Sequence, residues 1–107
     1  MEQALLVITN LADAASAQQL ARALVEQRLA ACVNMLPAVH SIYRWEGAVE
    51  EAGEVTLLIK TTTSRYPALE QAIVALHPYE LPEVLAVEAS GGLTAYLDWV
   101  SEQTRGD

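Results

Sequence analysis

The chain has 107 residues, 52% of them apolar and 19% charged, enough for one hydrophobic core and too apolar for a disordered chain. Fourteen Asp and Glu against six Lys and Arg give a formal net charge of −8, which argues against a nucleic-acid partner because phosphate neutralisation needs clustered cations. The single cysteine, Cys32, excludes an internal disulfide and permits a reducing compartment.

The opening "MEQALLVITN" has no basic stretch before its apolar run, so it does not read as a secretory signal. Nothing later approaches the roughly 18 apolar residues that span a membrane. The expectation is a cytoplasmic chain with no membrane partner. Within that opening, "ALLVITN" (4–10) is a continuous apolar run ending in turn-forming residues, as a buried strand would be. "DAASAQQLARALVEQRL" then places Ala17, Leu20, Ala21, Leu24 and Val25 on one helical face, with Asp13 or Ser16 as the cap. An extended segment follows at 30–45, in which Pro37 lacks a ladder donor and calls for an edge position or a bulge.

"EVTLLIKTT" (54–62) is the third strand. "SRYPALEQAIVALH" is a second helix, capped by Thr63 or Ser64, with Pro67 in its first turn and Leu69, Ala72, Ile73 and Leu76 as its buried stripe. A fourth strand at 83–89, a Gly91-Gly92 break and a last helix in "LTAYLDWVSEQ" complete the chain. The order β-α-β-β-α-β-α, over a single domain spanning 1–107, predicts an α+β, ferredoxin-like sheet with two helices on one face and a C-terminal helix.

Strand alternation sets Val55, Leu57 and Ile59 toward those helices and leaves Thr56 and Leu58 on the other face. Residues 38–46 alone extend about 30 Å at a strand's rise, against a radius of gyration near ~13 Å for a chain of this length. An uncovered apolar sheet face and a long hairpin are aggregation hazards for a monomer. A symmetric oligomer that buries them removes both.

No phosphate-binding glycine loop, paired-cysteine zinc spacing or nucleophile elbow occurs, so candidate chemistry rests on isolated groups and no enzyme is expected. His77 closes the second helix, where an imidazole suits the helix dipole and also suits a metal ion. Tyr79 and Glu80 follow on a segment stiffened by Pro78 and Pro82. Cys32 reads as a small buried hydrophobe or, as a thiolate, as a ligand for Cu(I) or Zn. Lys60 lies on a strand beside apolar neighbours and calls for a carboxylate, from Glu46 or from a neighbouring chain. Lys60, Trp45, Glu46, Tyr79 and Glu80 are the candidate lining of a cleft for a small polar or anionic ligand. His40 and Arg44 read as structural or surface groups.

The stretches "LAACVN", "SIYRWEG", "EVTLLIKT", "HPYELPE" and "YLDWV" occur in that order, and they resemble the CutA family of divalent-cation tolerance proteins over nearly the whole chain. The resemblance implies a ferredoxin-like fold assembled as a tight homotrimer, similar in build to the PII signalling proteins. It implies a cytoplasmic role in tolerance of copper and other divalent cations, without a known reaction. His77 matches the family's histidine before Pro-Tyr, and Cys32 the cysteine of its "AAC" motif, both associated with copper. Some members carry further ligands where this chain has Thr9 and Leu76. The expected function is a non-enzymatic homotrimer that binds copper or another divalent cation, with no tightly bound cofactor. The competing expectation is a PII-like signalling or adaptor trimer taking a small ligand between subunits.

Overall fold

The computed structural model of the chain describes residues 2–105. Its elements are β1 (Ala4–Leu11), α1 (Ala14–Glu26), β2 (Cys32–Trp45), β3 (Ala48–Thr62), α2 (Tyr66–Leu76), β4 (Leu85–Glu88) and α3 (Thr94–Gln103). The strands form one antiparallel sheet in the order β2-β3-β1-β4, which is the expected ferredoxin-like arrangement. Val7 and Leu11 of β1 and Val55, Leu57 and Ile59 of β3 point to one face and are buried there with Leu20 and Leu24 of α1 and Leu69 and Ile73 of α2. The period of two in the strands and of 3.6 in the helices therefore meets in a single core.

α1 starts where Asp13 Oδ1 accepts the Ser16 amide at 2.8 Å, with the Ser16 hydroxyl on the same oxygen at 2.9 Å. These bonds hold the Asp13 carboxyl below its ordinary value, the Ser16 amide contributing most. The expected cap of α2 is absent. Its N-cap is Arg65, which makes no side-chain cap bond, because the Ser64 hydroxyl donates to Glu2 and the Thr63 hydroxyl to the Gln3 carbonyl. Pro67 does fall in the first turn, where its missing N–H costs nothing. Two residues of the expected stripes lie outside the core: Val25 is 41% exposed and Leu76 51% exposed. Each sits in the last turn of its helix, next to a buried residue, Leu24 and His77 respectively.

β3 begins at Ala48, six residues before the expected start, because residues 48–53 all pair with β2 up to the Trp45–Ala48 pair. The turn is Glu46-Gly47, with φ of 49° and 82°, the two positive values that a type I′ hairpin demands. At Pro37 the ladder shifts register between Leu36 and Val39, and Ala38 takes φ 59°. β2 is also an edge strand, so both devices that tolerate the proline are present. The hairpin draws the chain out to 44 × 25 × 22 Å.

The opposite sheet face carries Leu6, Ile8, Thr56, Leu58, Leu85 and Val87, paired across β3-β1-β4. It is not wholly bare. α3 packs against β3 and β1, and Tyr96 comes to Cys32 on this face. Beyond α3 the face is open, with Leu85 57% and Val87 52% exposed.

Candidate functional site

His77 follows α2 and is 7% exposed. Its ring is held by two backbone groups. Nε2 donates to the Asn10 carbonyl at 2.7 Å, and Nδ1 accepts the Tyr79 amide at 3.1 Å. An amide on Nδ1 requires the lone pair there, so the proton sits on Nε2. The ring also packs on Tyr79 at 4.6 Å between centroids, tilted by 60°. So pinned, Tyr79 donates its hydroxyl to Glu54 Oε2 at 2.8 Å. Burial, and then the bond to Glu54 and its charge, push the Tyr79 phenol far above its ordinary value. The end of β1 is tied into the same region, since Thr56 Oγ1 donates to Asn10 Oδ1 at 2.6 Å and Asn10 Nδ2 to Glu83 Oε1 at 3.1 Å.

A second polar group lies on the open sheet face. Lys60 Nζ donates to Asn34 Oδ1 and stands 4.0 Å from Cys32 Sγ. Cys32 faces Lys60 directly across the β2–β3 ladder, and Asn34 is its diagonal neighbour. Tyr96 of α3 closes the group, its phenol raised by burial first and then by Cys32. The expected carboxylate for Lys60 is not Glu46 of the same chain. Twelve β3 residues separate Lys60 from Ala48 beside the turn, about 40 Å at a strand's rise, and an amide takes the ammonium instead.

Trp45 and Glu46 are thus at the hairpin tip, Tyr79 near the middle of the sheet at Glu54, and Lys60 and Cys32 toward its other end. Glu80 is exposed. One chain does not bring the expected cleft residues together. Nor does it bring His77 to Cys32: Thr56, beside Asn10, and Lys60, beside Cys32, are four β3 residues apart, about 13 Å. Thr9 lies on the helix-covered face and is fully buried, away from Cys32. Among the described residues no three His, Cys, Asp or Glu side chains gather as a metal site. With both His77 nitrogens occupied and an ammonium beside Cys32, the donors of one chain do not fit a resident metal. His40 pairs with Glu51 at 2.6 Å on the exposed hairpin, a surface role as expected.

Glu54 is the member of the network that sequence reading missed. It falls in a run of glutamates that resembles a solvated tip, and its partner is 25 residues away. Asn34 escaped for the same reason, since only the strand register sets it against Lys60.

The family model for the CutA1 divalent ion tolerance protein matches residues 5–103. Over 88 residues the chain is 52% identical to the divalent-cation tolerance protein CutA of Thermus thermophilus, covering 82% of this chain and 85% of that protein. It is 49% identical to protein CutA of Mus musculus over 82% of its own length, and there it spans about half of the mouse protein. The crystal structure of CutA1 from Oryza sativa superimposes with a TM-score of 0.94 at 36% identity, covering 99% of this chain and 97% of that one.

Proposed function

Because the chain belongs to the family of CutA1 divalent ion tolerance proteins, we propose that it serves divalent-cation tolerance as a cytoplasmic homotrimer that binds copper or a similar ion weakly. The observation that carries the assembly is the open sheet face, where Leu85 and Val87 stand exposed beside half-buried Leu6, Ile8 and Leu58. Contiguous apolar surface of that kind is stable in water only when another surface covers it. A closed ring of identical chains covers it on every protomer. The formal charge of −8 draws cations to such an assembly.

Metal enters this proposal as cargo. Cys32 offers a half-buried sulfur, but His77 offers Nδ1 only after the Tyr79 amide lets go, so affinity through these two residues is low. Calorimetric titration of Cu(II) tests the point. The expected result is saturable binding that is micromolar or weaker and that Cys32→Ala reduces. Nanomolar binding, or no heat above a buffer control, contradicts it.

The hairpin favours a second reading, a PII-like trimer that takes a small ligand between subunits. Trp45 and Glu46 lie about 40 Å from Lys60 along β3, so these residues share a cleft only if different chains supply them. A small-molecule screen by thermal shift, in which a hit depends on both Trp45 and Lys60, supports that reading over the first.

A further inference from the structure

The six cations of this acidic chain are unevenly placed. Arg28, Arg65 and Arg105 gather where the end of α3 meets the turn before α2. Arg65 Nε donates to the Arg28 carbonyl at 3.3 Å, and Arg28 Nη1 to the Gln103 carbonyl at 3.4 Å. Arg65 and Arg105 line a groove of about 470 Å³, with Thr62 and Ser64 from the turn, Ser101 and Thr104 from the end of α3, and Glu2. Among the described residues neither arginine has a carboxylate within 4.0 Å, and the ion pairs found there are Arg22–Glu26 and His40–Glu51. Two guanidinium groups with no ion-pair partner among the described residues, set against the single lining carboxylate of Glu2, leave the described groove with an excess of positive charge.

We propose that this groove binds a small tetrahedral oxyanion, either phosphate or the phosphate end of a small metabolite. The planar guanidinium fork matches phosphate oxygens two at a time. The Ser101 hydroxyl makes no hydrogen bond among the described residues and is a free donor, whereas the Thr104 hydroxyl is already given to the Val100 and Ser101 carbonyls. The groove's volume falls within the ~300–1,000 Å³ of small-molecule sites. The positive end of α2, which starts next to Arg65 without a side-chain cap, adds to the field.

Glu2 works against the anion. Its carboxylate lines the groove and accepts the Ser64 hydroxyl. Removing that charge therefore strengthens binding, while removing either arginine weakens it. The two kinds of variant move affinity in opposite directions, which a general loss of structure does not do.

The test is calorimetry on the full chain in low-chloride buffer, with inorganic phosphate and then glycerol 3-phosphate as probes. We expect saturable binding, weakened about fivefold or more by Arg65→Ala or Arg105→Ala and strengthened by Glu2→Gln. Arg22→Ala, whose partner is Glu26 outside the groove, leaves it unchanged. Arg65→Lys keeps the charge but not the fork, and its weakening stands in if Arg65→Ala fails to fold. The probe that binds more tightly identifies the source as free phosphate or a phosphate ester. No saturable heat with either probe, an equal loss in Arg22→Ala, or weaker binding in Glu2→Gln overturns the proposal. Copper titration of Arg65→Ala stays as in the wild type, since the groove holds neither His77 nor Cys32.

Discussion

Replacing His77 by alanine separates a pin in the fold from a ligand for metal. The substitution strips partners from two backbone groups, the Asn10 carbonyl and the Tyr79 amide, bonded at 2.7 and 3.1 Å. A buried polar group left without a partner costs roughly 1–3 kcal/mol. The ring's packing on Tyr79 at 4.6 Å is worth about 0.5–1.5 kcal/mol more. Because His77 lies at the rim of the core, water replaces part of what is lost. We therefore expect a destabilisation of about 2–4 kcal/mol. Guanidinium unfolding followed by circular dichroism reads it, at one protein concentration because an oligomer's stability depends on concentration. Copper affinity, measured on the same preparations, should change by less than about threefold, under 1 kcal/mol, since Nδ1 is already taken. Unchanged stability with abolished copper binding would refute the reasoning, for it would make His77 a ligand and leave Tyr79 held by something else.

Thr9 is fully buried and its hydroxyl has no hydrogen-bond partner among the described residues, so the near-isosteric Thr9→Val should raise stability by about 1 kcal/mol, and a loss in the same unfolding assay would show that the hydroxyl is bonded. Asp13 has a folded pKa below its unfolded value, so its contribution is present above the unfolded pKa and disappears as pH falls through the folded one; Asp13→Asn should flatten that acid limb of the melting profile, and an unchanged limb would remove Asp13 as its source. The phenol of Tyr79 is held far above its ordinary 10.0, so Tyr79→Phe should leave the tyrosinate absorbance step near pH 10 at full height, whereas a step smaller by one tyrosine would show Tyr79 ionising freely.

Features set by neighbours in the chain were legible before the structure. The alternation of β1 and β3, the buried faces of α1 and α2 and the irregularity at Pro37 follow from spacing and from one missing N–H, and each is found. Val25 and Leu76 have the right helical spacing yet stand exposed while their neighbours Leu24 and His77 are buried, because periodicity gives the direction of a stripe but not its width or what packs on it. Ser64 has the chemistry of a cap but spends its hydroxyl on Glu2, 62 residues away. The start of β3 was missed because Glu46, rather than an asparagine or glycine, occupies the first positive-φ position of the turn. The candidate site was legible only as separate residues. His77 and Tyr79 are two apart and easily linked, but Tyr79 with Glu54 and Lys60 with Asn34 depend on register and packing that spacing does not show. Trp45 and Lys60, at opposite ends of the β2–β3 ladder, do not meet within one chain.

The solution mass of the protein tests the central claim, that the open face of the sheet is covered by other copies of the chain. Light scattering coupled to size exclusion should give three times the chain mass, unchanged on dilution to low micromolar. Leu58 lies half-buried on that face, opposite Ile8, and Leu58→Asp, which sets a charge in the contact, should bring the mass down. A wild-type chain that runs at its single-chain mass at every concentration would contradict the account.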